Sequence, residues 1–368
     1  MTVADAASDF EPYQLNGGLV TAVAGPNFCI TASDTRMIGE GGYLLSSRNH
    51  IANRLWTPAV VSPDDDDDDD DDVDKDDGDD QQNLTLQLGD DLEDFLRFRE
   101  REGNIQNPNN QNSNRRQQVL VVPTSSSAGP SKGSMSSVVI GSSGCSTDCC
   151  QLKLDFQADY HAATSLGQMK VSCNTDNVAN LLSQTLYGRR TFPYYAFCVV
   201  GGLEIDNDSS SSSCKSTVTG KAYVYDAIGS YEQVAVASAG TGRELLQPIL
   251  DRMFSRTTAS SSTTKYKSTA HSIKTTTTTT TQTPSTTTTS TMNDNLIKRH
   301  RPRLQVDCTS EEAVDILCQA YRSVSEREIG VGDTLILHVS EANSDNNLND
   351  DGYGTVSSRI IIVPLKQH

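Results

Sequence analysis

Two short apolar runs set the pattern of the chain. Leu19 to Ala24 and Phe28 to Ser33 are built from small, β-branched and aromatic residues, and Gly25-Pro26-Asn27 separates them. Apolar arms around a Gly-Pro-Asn turn predict a tight β-hairpin. The second arm ends in Ser33-Asp34-Thr35-Arg36. A carboxylate and a guanidinium at the end of an apolar strand are costly to bury unless they are paired or used. The hairpin therefore carries a site or the remains of one.

Downstream the apolar period changes from element to element. A glycine-containing turn at Gly39 to Tyr43 is followed by a stretch, Leu44 to Trp56, read as a further strand closing one sheet. Ser136 to Gly144 reads as a buried strand ending in a glycine turn. From Ser146 to about Ser165, Cys149, Leu152, Phe156, Tyr160 and Ala163 recur at three- and four-residue steps, which predicts a helix with one apolar stripe. A second helix is expected from Thr175 to Tyr187, capped by Thr175 or Asp176 and buried through Val178, Leu181, Leu182, Thr185 and Leu186. Arg189-Arg190 fall at its C-terminal end, where cations suit the helix dipole. Thr191 to Gly202 gives an aromatic-rich strand, and Gly220 to Gly240 a hairpin or meander turning at Gly229. A third helix is expected from Gly242 to Phe254, bent or broken by Pro248. Thr309 and Glu312 have capping-box spacing ahead of a stripe of Val314, Leu317, Tyr321 and Val324. Strands from Thr334 and Ser358 close the chain, joined by the acidic loop Asn343 to Asp351. The pattern as a whole suits two sheets sandwiched between helical layers.

Composition sharpens this by showing what to remove. Residues 57–135, 206–217 and 255–303 are dominated by Asp, Gln and Asn, by Ser, and by Ser and Thr respectively. Without them roughly 230 residues remain, enough for one compact α+β domain, with ordered parts at about 10–56, 136–205, 218–254 and 304–368. The three blocks are read as low-complexity, disordered insertions. A short helix at Leu92 to Glu102 inside the first is expected to be transient. Asp64 to Asp80 holds fourteen aspartates and one lysine, so most of the net charge of −18 is local to a solvated tract. The N-terminus MTVADAASDF lacks the basic start and apolar core of a signal peptide, and no apolar run is long enough to span a membrane. Cys29, Cys198 and Cys318 sit in apolar segments, which suits reduced thiols in a cytoplasmic or nuclear protein. The Asn83 sequon then has no bearing. Lys298 to Arg303 is read as a solvated linker end, with a nuclear localisation signal as the sharper alternative.

Other candidate chemistry is thin. Cys145, Cys149 and Cys150 have no second ligand pair at metal spacing, so no metal site or cofactor is expected. Gly240-Thr241-Gly242 opens a helix but lacks the lysine and Ser/Thr of a phosphate loop. No nucleic-acid, membrane or small-molecule partner is indicated.

The hairpin with Ser33-Asp34-Thr35-Arg36, the turn Gly144 to Cys149 and Gly330-Val331-Gly332-Asp333 resemble the proteasome β subunits. Phe10 to Gly18, Tyr187 to Glu204, Ala222 to Gln233 and Leu245 to Asp251 narrow the likeness to the branch at the sixth position of the β ring. The resemblance spans nearly all of the residues expected to be ordered and none of the insertions. It implies the four-layer αββα sandwich of the N-terminal-nucleophile hydrolases, whose active members use an N-terminal threonine freed by cleavage, an activating lysine and positioning carboxylates. By that resemblance the nucleophile position falls on Gly18, Asp34 keeps the first aspartate, and the later aspartate and serine fall on Glu328 and Val331. No lysine precedes Lys75; near the expected place the chain reads Asn49-His50-Ile51-Ala52-Asn53. Thr21, the nearest hydroxyl, is expected to pack inside the strand. The site is therefore expected to be inactive, with Asp34 accepting backbone N–H bonds or pairing with Arg36. The resemblance further implies α and β subunits as partners in a 28-subunit core, and a loop after Gly202 bordering a neighbouring subunit's substrate pocket, with Glu204 and Asp206 as candidates. An active hydrolase with an unrecognised nucleophile, and a free-standing interaction protein using the acidic and Ser/Thr tracts, are the alternatives.

Overall fold

In the computed structural model, described for residues 14–39, 53–58, 120–123, 138–166, 174–206, 217–261, 303–342 and 356–365, the chain forms two antiparallel sheets between two pairs of helices. The strands are β1 Leu19–Ala24, β2 Phe28–Asp34, β3 Leu55–Trp56, β4 Leu120–Pro123, β5 Val139–Gly144, β6 Ala196–Asp206, β7 Thr217–Tyr225, β8 Tyr231–Val234, β9 Val236–Gly240, β10 Thr334–Ala342 and β11 Val356–Pro364. The helices are α1 Ser146–Ser165, α2 Thr175–Gly188, α3 Arg243–Ser261 and α4 Ser310–Ser325. One sheet runs β4-β11-β10-β2-β1-β9 and the other β3-β5-β6-β7-β8.

Alternation along β1 explains the layering. Leu19 and Val23 join Ile30, Leu335, Leu337 and Val339 in a core closed by Leu246 and Leu250 of α3 and by Leu317, Tyr321 and Val324 of α4. Val20, Ala22 and Ala24 point the other way and meet Val199, Ala222, Ala237 and Ala239. A third core joins Ile140, Cys198, Val200 and Tyr225 to Leu152 and Phe156 of α1 and to Val178, Leu182 and Leu186 of α2. β1 is therefore buried on both faces, which is why it reads as a continuous apolar run. The large side chains lie between sheets and helices, and the layer between the sheets is mostly alanine and valine. The expected αββα order is the observed one.

Several boundaries differ from expectation. The cap of α2 is Asn174, whose side chain accepts from Asp176 N at 2.8 Å; Thr175 is buried and donates its hydroxyl to Leu203 O instead. α3 continues through Pro248 rather than breaking there. The Gly220–Gly240 meander splits: β8 belongs to one sheet and β9 to the other, with Ala235 between them. β4 lies inside the 57–135 stretch and pairs with the edge of β11. The capping box at Thr309 and Glu312 is formed as read. The expected helix Leu92–Glu102, the acid run, His50, the Ser/Thr tract beyond residue 261, residues 298–302 of the basic cluster and the loop Asn343–Asp351 lie outside the described residues.

Candidate active site

Four segments converge at the end of the first sheet opposite the β1–β2 turn. They are Asn16–Gly18 ahead of β1, Asp34–Arg36 at the end of β2, Arg54 ahead of β3, and Glu328–Asp333 between α4 and β10. Asn16 ties them to α1: its backbone N–H donates to Gly144 O at 2.9 Å, and its side chain accepts from Ser146 N at 2.8 Å and donates to Ile38 O at 3.0 Å. Gly17 and Gly18 have φ of +75° and +99°, a region glycine enters without steric cost. Gly18 N donates to Gly330 O, and Gly18 O accepts from Thr241 N, both at 3.0 Å.

Asp34 is fully buried. Its Oδ1 accepts from Leu19 N at 2.8 Å, and its Oδ2 from Gly332 N at 3.0 Å and Arg36 N at 3.3 Å. Arg54 Nη1 lies 3.4 Å from Oδ1 and donates to Asp34 O at 2.8 Å, while Nη2 donates to Arg36 O. Burial pushes the Asp34 carboxyl above the usual range; Arg54 and the three N–H groups oppose that shift. Arg36, also fully buried, turns away to Asp333, with Nη2 and Nε donating to Oδ1 at 2.8 and 3.2 Å. Each guanidinium lies over a glycine. A Cβ at Gly18 would overlap Arg54, and one at Gly332 would overlap Arg36. On the helix side, Thr21 Oγ1 is 2.9 Å from Tyr321 Oη, so the hydroxyl nearest to Gly18 in sequence is turned into the core, and the one beside Gly18 in space is that of Thr241, which donates to Gly18 O at 3.3 Å.

No family model matches the chain, but individual relatives do. Proteasome subunit beta type-1 of Drosophila melanogaster is 24% identical over 335 residues, 90% of this chain and 85% of the relative. That of Arabidopsis thaliana is 28% identical over 210 residues, 55% of this chain and 69% of the relative. That of Oryza sativa subsp. japonica is 45% identical over 82 residues, 22% of this chain, and there the chain spans only 31% of the relative's length. The chain is thus similar to proteasome β subunits, at low identity over most of its length and at higher identity over short stretches.

Against the family's chemistry, the structure separates the residues read from the sequence. Gly18, Asp34, Val331 and Glu328 do come together. Val331 is buried in the helix-side core, and Glu328 Oε1 accepts from Gly330 N at 3.2 Å. Of the two roles offered for Asp34, acceptance of backbone N–H groups is the observed one; the Arg36 guanidinium pairs with Asp333 instead. The residue missed is Arg54, the cation that faces Gly18. Its signal was an arginine inside the apolar segment Arg54-Leu55-Trp56, next to a strand. Glu204 lies elsewhere, at the far end of β6. Its Oε1 accepts from Asn174 Nδ2 at 2.8 Å and its Oε2 pairs with Lys221. Lys221 also binds Asp176 at 2.8 Å. The side chain of Asp206 lies outside the described residues.

Two thiols, Cys29 and Cys149, are not poised for attack. Burial pushes Cys29 and Cys149 up to about 12, so both stay protonated at neutral pH. Among the described residues no group of His, Cys, Asp and Glu side chains converges to hold a metal ion, and no helix is long and apolar enough to cross a membrane.

Proposed function

We propose that the chain is a non-catalytic, architectural β subunit of the 20S proteasome core, acting in protein degradation by completing a β ring beside other α and β subunits in the cytoplasm and nucleus. One observation carries the reading. The position that resemblance assigns to the nucleophile is Gly18, and the space a side chain would need there is filled by the Arg54 guanidinium. A nucleophile and an activating group must share that space for attack. Asp34 then serves the fold, holding the starts of β1 and of the Gly332 turn by their N–H groups.

The decisive measurement is fractionation of the full chain by size, with sequencing of its N-terminus. Co-migration with α and β subunits near the mass of a 28-subunit particle, without a new N-terminal Thr, Ser or Cys, is expected. Processing to such a residue would overturn the non-catalytic reading. In this reading the end of β6 borders a neighbour's substrate pocket, and Glu204 and Asp206 bias that neighbour's peptide preference. Because Glu204 is engaged by Lys221 and Asn174, Asp206 is expected to carry most of the effect. Unchanged chymotrypsin-like activity after alanine replacement of both residues would remove the idea.

A further inference from the structure

A cavity of about 320 Å³ opens where the later turns of α3, the β8–β9 junction and the segment leading into α4 meet. Its floor is apolar. Phe254 and Val306 are buried there, and Val234 and Val236 complete the lining. Val306 N donates to Ala24 O at 2.8 Å, which ties the floor to the end of β1, so the hollow is formed before anything binds. Asp251 and Phe254, three residues apart, fall on one face of α3 and reach the cavity together.

Three charged side chains line the same hollow: Asp251 from α3, and Arg303 and Asp307 from the chain ahead of α4. Asp251 Oδ1 accepts from Gln247 Nε2 at 2.9 Å. Arg303 and Asp307 are exposed, and among the described residues neither has an ion-pair partner, in the other or elsewhere. A guanidinium and a carboxylate left unjoined around an apolar floor match a ligand that carries both opposite charges itself. A purely aliphatic ligand would take the charges out of water without pairing them. A sugar would leave the floor unmatched, and a simple anion would meet two carboxylates. The volume lies at the small end of ligand sites, which favours a ligand of a few heavy atoms over a dinucleotide.

We propose that this cavity binds a free apolar α-amino acid as its zwitterion. Arg303 takes the carboxylate through its paired N–H groups. Asp307 takes the ammonium, with Asp251 as a second acceptor, and the ligand's side chain lies on Phe254, Val306, Val234 and Val236. The site uses none of the residues around Gly18, so it stands or falls apart from the architectural reading.

Titration of the full-length chain with L-leucine, followed by saturation-transfer NMR and by melting temperature, tests the assignment. Leucine should bind saturably with a Kd of about 1 mM, the affinity so few contacts give, and should raise the melting temperature. N-Acetyl-leucine lacks the cation, leucinamide the anion and glycine the apolar side chain; each should bind roughly tenfold more weakly. Arg303→Gln and Asp307→Asn, both at exposed positions, should melt like the wild type in the absence of ligand. Each should weaken leucine about tenfold, while Arg303→Gln leaves leucinamide binding unchanged and Asp307→Asn leaves N-acetyl-leucine binding unchanged. Absence of saturable leucine binding overturns the proposal. Leucinamide or N-acetyl-leucine binding as tightly as leucine also overturns it, by making the cavity a site for a single charge. Unchanged leucine affinity in both variants would place the ligand elsewhere, and tighter binding of dileucine than of leucine would assign a peptide instead.

Discussion

The chain holds two ionic clusters of similar composition in opposite surroundings. At the hairpin end, Asp34, Arg54, Arg36 and Asp333 are locked among backbone groups, and three of the four are almost wholly buried. At the β6–β7 edge, Lys221 bridges Glu204 and Asp176, with Asp176 about half exposed. In the first cluster Asp34 is held by the Gly332 N–H and Arg36 by the Ile329 and Val331 carbonyls, each nearly three hundred residues away, and Arg54 by the carbonyls of Asp34 and Arg36. In the second, Asp176 is open to water while Glu204 is nearly buried. A buried charge without its partner is far more costly than an exposed one. The hairpin cluster is therefore held together as structure, whatever chemistry takes place beside it.

The contrast is easiest to break at Arg54. Arg54→Ala strands the Asp34 carboxylate and two carbonyls, and should lower unfolding free energy in urea by about 3–5 kcal/mol. Gly18→Ala should be costly in the wild type, because it evicts Arg54, but should add only about 1 kcal/mol of backbone strain on top of Arg54→Ala. Additive costs would show that the two residues do not share space.

The next effect concerns a buried polar group with no ionic partner among the described residues. His338 sits in β10, its Nδ1 3.5 Å from Ser340 Oγ, and burial holds its pKa down to about 4. A histidine depressed on folding must charge in the unfolded chain first. Stability should therefore fall as pH drops from about 6.5 to about 4, by about 3 kcal/mol in all. His338→Gln should flatten that limb of the curve; an unchanged slope would assign it to other groups.

Smaller still is Tyr321→Phe, which leaves the buried Thr21 hydroxyl without its partner and should cost about 1–2 kcal/mol by the same urea measurement. Lys221→Met closes the series at the β6–β7 edge. Solvent screens the half-exposed Asp176, and the nearly buried Glu204 keeps its bond from Asn174, so the cost should be about 1 kcal/mol, and added salt should shrink the Asp176 part of it. A loss as large as that of Arg54→Ala would erase the distinction between the clusters.

Much of this could be read from local pattern. The hairpin, the helix stripes of α1, α2 and α4 and the Thr309 capping box depend on neighbours a few residues apart, and they stand as read. The features that escaped depend on distance in sequence. Arg36 finds Asp333 and Asp34 finds Gly332, each nearly three hundred residues away, and no local rule pairs them. β4 was obscured by its surroundings. Leu120 to Pro123 is a plausible strand by composition, but it is embedded in a polar tract and gains its place only by bonding to β11. At α2, two neighbouring polar residues competed with Asn174 for the cap, and burial of Thr175 decided it.

The single residue Ala235 joins β8 in one sheet to β9 in the other. Its carbonyl also accepts from Ala24 N at 2.8 Å, and Ala24 O in turn accepts from Val306 N at 2.8 Å. The two sheets thus share a seam with almost no slack in the chain across it. A force or a denaturant that parts them must break this seam at once, so amide exchange at Ala24 and in β8 and β9 should report one common opening event rather than two. The alanine layer sets how near the sheets lie, and the seam makes them yield together.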